Sequence, residues 1–239
     1  MKEIPMSFTG ESVRAIQARL KMMTRRTRGL QEINKQPNSH RFLGIDCVGK
    51  YCFELDLGDG ATTIKEIKCP YHVGDRIWVK ETHVIENDRE YGYSESELEL
   101  WEKDRPIKTV DGGFDFGIYH LIPHYRATEP EPNIVSSEQD TYDDRTRWES
   151  SRFMPRWASR INLEITEVRN PERLQEVTIE DVEAEGIKYN PIRDFAPENI
   201  ILGFAQLWDS IYDKGTPFND HPYRWQLNPW VWPIRFKEV

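Results

Sequence analysis

The first periodic stretch of the chain is helical in spacing. Val13, Ile16, Leu20 and Met23 recur at intervals that place them on one side of a helical wheel, an apolar stripe for a core. Arg14, Lys21 and Arg25 fall together on a neighbouring side, and Thr24 lies between the two groups. Ser12 is a suitable N-cap and Gly29 a suitable stop. The pattern therefore predicts one helix that carries ARLKMMTRRTRG towards its end.

The pattern then changes to β. RFLGIDCVGKYCFELDL has two apolar runs about Val48-Gly49-Lys50, which predicts a hairpin, and Gly58-Asp59-Gly60 predicts a second turn. After Gly74-Asp75, Ile77 and Val79 alternate with Arg76, Trp78 and Lys80, as in a half-buried strand. Residues 86–157 are acidic, aromatic and rich in Pro and Gly. Only FGIYHLIPHYRA reads there as a strand, and Glu129 to Arg147 reads as an exposed loop. The stretch reads as a long irregular insertion into a single domain spanning residues 1–239.

Order returns in ASRINLEITEVRN, where Ile161, Leu163, Ile165 and Val168 nearly alternate with polar residues. VTIEDVEAEGIK predicts a short helix capped by Thr178 and ended by Gly186. Glu198 to Tyr212 predicts an amphipathic helix with Ile201, Phe204, Ala205, Leu207, Trp208 and Ile211 apolar. In the closing NPWVWPIRFKEV, Trp230, Trp232, Ile234 and Phe236 share a strand face, and Pro233 predicts an edge position or a bulge. Strands with few helices and no regular βαβ alternation exclude a Rossmann-type sheet and indicate an α+β fold, a small mixed β-barrel with helices at its rim.

Composition narrows the partners. With 31% charged residues and 38% hydrophobic ones, the 239 residues suit a soluble protein whose core leans on aromatics. No apolar run approaches the about 20 residues that span a bilayer, and MKEIPMSFTG lacks a signal-peptide core. No membrane partner and a cytoplasmic location are expected. A formal net charge of -9 argues against non-specific coating of nucleic acid. A local basic site remains open, because Ser12 to Gln31 holds no acid and includes Arg14, Arg19, Lys21, Arg25, Arg26 and Arg28. A basic helix end ordinarily complements the helix dipole.

Cys47, Cys52 and Cys69 match no zinc spacing and read as reduced thiols. Two weaker metal candidates are Cys69 with His72, in CPYH, and His120 with His124. No phosphate loop, HExxH, GxSxG or CxxC occurs. No cofactor and no metal are expected.

Several segments in order resemble the ASCH domain superfamily, which has a PUA-like β-barrel fold. They are MSFTGESVRAIQARLKMMTRR, GDRIWVKE, RINLEITEV, LQEVTIEDVEAEGI and WVWPIRF. FMPRWASRI and EAEGI, at Phe153–Ile161 and Glu183–Ile187, are similar to segments of phage and prophage ASCH proteins. The resemblance covers roughly half of the chain and implies a phage- or prophage-encoded protein in a bacterial host. One bacterial branch of the superfamily removes the acetyl group from N4-acetylcytidine with a Lys and a Thr in GxKTxT and a later Glu. Carried over residue by residue, it implies Lys21 as base, Thr24 as nucleophile and Glu185 as water activator. Met22 stands where that motif has its first Thr, and Arg19 where it has Gly.

This set is chemically coherent. A Thr hydroxyl needs a base, and a Lys is one only where burial or neighbouring cations lower its pKa. Arg14, Arg25, Arg26 and Arg156 are candidates to hold phosphate, Glu81 is a candidate to bind the nucleoside, and Trp78 and Trp157 are candidates to stack on a base. Tyr125 is a further candidate stacker. Three functions fit: a hydrolase of an acylated exocyclic amine on a modified nucleoside, a non-catalytic RNA- or DNA-binding module, and a phage structural or host-interaction (morphogenetic) protein.

Overall fold

The computed structural model describes residues 1–88, 93–134, 145–188, 199–212 and 222–239. In chain order the first elements are β1 (Glu3–Ser7), α1 (Gly10–Gln17), β2 (Met23–Arg26), β3 (His40–Ile45), β4 (Tyr51–Gly58) and β5 (Ala61–Ile67). Next are β6 (Arg76–Lys80), β7 (His83–Asn87), α2 (Glu95–Trp101), β8 (Lys108–Asp111), α3 (Gly113–Phe116) and β9 (Ile118–Tyr125). The last are β10 (Asn162–Val168), β11 (Glu172–Arg173), α4 (Ile179–Ala184), α5 (Asn199–Tyr212) and β12 (Trp230–Glu238). The fold is α+β, with mixed and antiparallel sheets and few helices.

Two compact units divide the chain. The first comprises Met1–Ala18, Asp75–Glu164 and Glu238–Val239. In it β1 runs parallel to β6, with Ile4 opposite Ile77 and Met6 opposite Val79, while Leu163 of β10 faces Ile77 from the antiparallel side. These side chains are buried, as the alternating pattern requires. A second, antiparallel sheet has the order β7-β9-β8. Residues 86–157 thus carry a sheet and two helices, where the sequence suggested an irregular insertion with one strand. β9 is the strand read in FGIYHLIPHYRA, while its partners β7, HVIEN, and β8, KTVD, are too short and polar to show an alternation of their own. Of the expected exposed loop, 135–144 lies outside the described residues.

The second unit comprises Arg19–Gly74 and Ile165–Lys237. The meander β3-β4-β5 turns at the two predicted places. Its Tyr51 and Phe53 meet Trp232 and Trp230 of β12 edge-on, with ring centroids 4.7 and 5.1 Å apart. Leu174, Val177 and Val182 pack with Ile200, Phe204 and Trp208 of α5 and Val231. β12 is no edge strand despite Pro233, since it takes ladder partners in β2, β10 and β11.

The first helix is the main departure. Thr9, not Ser12, caps α1, accepting the Ser12 N–H at 3.2 Å, and the helix stops at Gln17. Arg19 takes φ 57°, the left-handed region. Met23–Arg26 then form β2, with Trp232 opposite Arg26 and Ile234 opposite Thr24. The helical spacing of Leu20 and Met23 is overridden by the hydrogen bonds and burial that β12 offers. Leu20 is accordingly exposed and Met23 fully buried.

Candidate functional site

Two short elements build the site in the second unit. Thr178 caps α4, its hydroxyl accepting the Asp181 N–H at 3.2 Å. Asp181 and Glu185 are one turn apart and share a face. Gly186, at φ 89°, ends the helix directly after Glu185. The chain before β2 runs against that end. Lys21 forms an isolated antiparallel bridge with Glu185, and the Met22 N–H donates to the Ala184 carbonyl at 2.8 Å.

Lys21 and Glu185 consequently meet side chain to side chain, although 164 positions separate them. The Lys21 ammonium donates to Glu185 Oε2 at 2.5 Å and to the Glu185 carbonyl at 2.9 Å. The second bond satisfies a carbonyl left open at the helix end and sets a cation at the negative pole of α4. Both side chains are buried, at 5% and 6% exposure. Burial holds the Lys21 pKa below its ordinary value; Glu185 opposes that shift, while Arg26 and Arg25 add to it.

Arg25, two residues into β2 from Met23, is the centre of this wall. Its guanidinium has no exposed side-chain surface and reaches three carboxylates. It lies 2.5 Å from Asp181 Oδ2, 3.0 Å from Glu172 Oε1 and 3.5 Å from Glu185 Oε1. Arg169 shares Asp181 Oδ2 at 2.5 Å, and Arg235 approaches Asp181 Oδ1 at 3.7 Å. The Phe204 ring lies 5.9 Å from the Arg25 Cζ. Burial pushes the Glu172 carboxyl up against the pull of Arg25 and Arg169. Asp181 sits below its ordinary value because Arg169 and Arg25 outweigh its burial.

The expected residues separate by unit. Lys21, Thr24, Arg25, Arg26 and Glu185 belong to the second. Thr24 is buried opposite Ile234, and strand alternation sends its side chain to the face of β2 away from Met23 and Arg25. Arg26 shares that face and lies near the Tyr212 and Tyr71 hydroxyls, whose pKa values it lowers against the larger effect of burial.

Arg14, Trp78, Glu81, Arg156 and Trp157 belong to the first unit. Arg14 pairs with Glu129 at 3.1 Å. Trp78 is half-buried, with Lys80 Nζ 5.5 Å and Arg156 Cζ 5.8 Å from its ring. Arg156 is held by both Glu3 oxygens at 3.0 Å. Glu81 is buried and gripped by Arg160 at 3.0 Å on each oxygen. Trp157 packs against Tyr125, Met154 and Ala158. Among the described residues no group of three or more His, Cys, Asp and Glu is placed to hold a metal. His120 pairs with Asp88 and His124 with Glu86, and all three cysteines are free.

The sequence missed Asp181, Glu172 and Arg169. For Asp181 a signal existed, the four-residue spacing to Glu185 inside a capped helix. For Arg169, in the turn after β10, and Glu172, in the two-residue β11, it did not. Compared with protein-family models, with curated proteins and with solved structures, the chain matches none.

Proposed function

We propose that the chain is an ASCH-type protein with a PUA-like barrel that recognises a modified nucleoside or base and hydrolyses an acylated exocyclic amine, as on N4-acetylcytidine. The observation that carries this reading is the buried Lys21–Glu185 contact at 2.5 Å. The resemblance named these two residues from distant segments. A backbone detail supports the same correspondence: Arg19, where the resembled motif has Gly, adopts the left-handed conformation that favours Gly, φ 57°.

The chemistry follows from the pair. Burial, with two nearby arginines, lowers the Lys21 pKa against the pull of Glu185, which fits the amine to act as a base. It takes a proton from water as the water oxygen attacks the acyl carbon, because Thr24 turns to the face of β2 opposite Arg25. The C–N bond breaks, and the proton passes from Lys21 to the leaving amine. Glu185 accepts the acid proton of the released acyl group. The direct Lys21–Glu185 hydrogen bond lets the two groups exchange a proton without intervening solvent.

The test is deacylation of N4-acetylcytidine, followed by the absorbance change at the base, with wild type, Lys21→Ala, Glu185→Gln and Thr24→Ala. Activity in wild type and its loss in the first two variants is expected. Full retention in Lys21→Ala sinks the reading. Retention in Thr24→Ala is expected, since water makes the attack; loss of activity there assigns the attack to Thr24 instead.

A non-catalytic reader is favoured by a different observation. Arg76, Trp78 and Lys80 alternate on one face of β6, with Arg156 over the Trp78 ring. Binding of single-stranded RNA that weakens with added salt and with Trp78→Ala, without deacylation, supports that reading instead.

A further inference from the structure

We infer that Arg25 is the positioning residue of this site: anchored by Asp181 and Glu172, its guanidinium fixes the Glu185 carboxylate against Lys21 and keeps a second cation on the far oxygen of that carboxylate. The inference rests on the reading of Lys21 and Glu185 as the reactive pair, and names what orients them.

The geometry is asymmetric in a useful way. Glu185 gives Oε2 to Lys21 at 2.5 Å and Oε1 to Arg25 at 3.5 Å, so its two oxygens face two different cations. Arg25 cannot follow Glu185 if the carboxylate swings, because its other nitrogens are committed. Nε and Nη2 donate to Glu172 Oε1 at 3.2 and 3.0 Å, and Nη2 also donates to Asp181 Oδ2 at 2.5 Å. A planar fork with several donors in fixed directions is what such a three-way anchor requires, and an ammonium does not supply it. Arg169, just past β10, and Arg235 of β12 reinforce the anchor by holding Asp181 from two further sides.

The arrangement also decides the charge that Lys21 feels. The charged groups facing Lys21 are Glu185, Arg26 and Arg25. Those facing Arg25 are Glu172, Asp181 and Glu185. Removing Arg25 leaves Glu185 to Lys21 alone and deletes a like charge, so the amine holds its proton to higher pH. Removing the Asp181 charge frees Arg25 to close on Glu185 and takes an anion from the neighbourhood, so the amine loses its proton at lower pH. A guanidinium that merely fills space between β2 and α4 predicts neither shift.

The experiment reads Lys21 directly, without substrate. Folded wild type, Arg25→Met, Arg25→Lys and Asp181→Asn are pulsed with an amine-acylating reagent across a pH series. The Lys21 peptide is then quantified by mass spectrometry. The labelling midpoint is expected to rise in Arg25→Met, because a like charge is lost beside the amine. It is expected to fall in Asp181→Asn and to stay near wild type in Arg25→Lys. Deacylation kinetics add the second readout: Arg25→Lys is expected to lower kcat at least tenfold with little change in KM. If Arg25→Met does not fold, Asp181→Asn and Arg25→Lys carry the test. Midpoints equal to wild type in every folded variant overturn the inference. Midpoint shifts in a protein with no deacylase activity overturn the hydrolase reading and leave the positioning role standing, whereas activity without shifts does the reverse.

Discussion

Lys21 reaches Glu185 twice, through the carboxylate at 2.5 Å and through the backbone carbonyl at 2.9 Å. One side chain therefore closes the C-terminal end of α4 and neutralises its last carboxylate. The structural and the chemical uses of Lys21 are separable, because only the second needs the carboxylate.

That separation predicts a signed double-mutant cycle. Breaking a buried ion pair by removing one partner costs about 3–5 kcal/mol, because the other charge is left buried. Lys21→Met should lie at the low end of that range, since Arg25 remains beside Glu185. Glu185→Leu should lie at the high end, with Lys21 left at the carbonyl and two arginines nearby. The double variant should be less destabilised than the sum of the singles by about 1–3 kcal/mol. Urea unfolding of the four proteins measures this, and strict additivity refutes it.

Arg19 offers an opposite change, one that should stabilise. A left-handed backbone costs a side-chain-bearing residue about 1–2 kcal/mol, part of which Gly returns as entropy of the unfolded chain. Arg19→Gly should therefore raise stability by roughly 0.5–1 kcal/mol and raise Tm by a few degrees. Calorimetry checks it. A lowered Tm would mean that the Arg19 side chain contributes more than its conformation costs.

These two residues also show how much was legible in the sequence. Lys21 and Glu185 were named because a resemblance fixed their order, not because spacing brought them together. The α4 cap, the hairpin turns and the aromatic face of β12 were readable because each depends on residues close in sequence. The end of α1 was not. Val13, Ile16, Leu20 and Met23 are as regular as a helix requires, and only the ladder with Trp232 to Arg235 decides that Met23 belongs to a strand. The Arg25 wall was hidden for the same reason: Glu172, Asp181 and Glu185 converge on one guanidinium only after β2 and α4 have docked.

Alkaline pH should unfold the second unit through two buried acids. Burial pushes the Cys69 thiol from 9.0 up to about 11, and the Tyr71 hydroxyl from 10.0 up to about 12. Each raised value means that the unfolded chain releases its proton first. The stability contributed by Cys69 is thus complete below pH 9 and is lost as pH rises through 11, with Tyr71 following between 10 and 12. Lys21 acts in the other sense, since its lowered pKa makes the unfolded chain the better proton binder up to 10.5. The two acids outnumber it, so Tm should fall from pH 9 to 11, and Cys69→Ala should flatten that fall. An equal slope in the variant would place the alkaline loss elsewhere.

The first unit contains an independent charged network in which the partners of His124 set its tautomer. His124 Nδ1 faces Arg105 Nη1 at 3.1 Å, and a guanidinium only donates. Its Nδ1 therefore accepts, and Nε2 carries the proton that it donates to Glu86 Oε2 at 2.7 Å. Tyr93 donates to the other Glu86 oxygen at 2.8 Å. These bonds hold the Glu86 carboxyl below its ordinary range in spite of burial. His124→Leu leaves one carboxylate oxygen and one guanidinium nitrogen without this partner, and should cost about 1–3 kcal/mol. His124→Gln, whose amide offers both a donor and an acceptor, should recover part of that loss. Hydrogen exchange at the β7-β9 ladder is the readout, because the effect should appear there and leave α4 unchanged. Equal protection in wild type and His124→Leu would show that the sheet is held by its backbone bonds and apolar face alone.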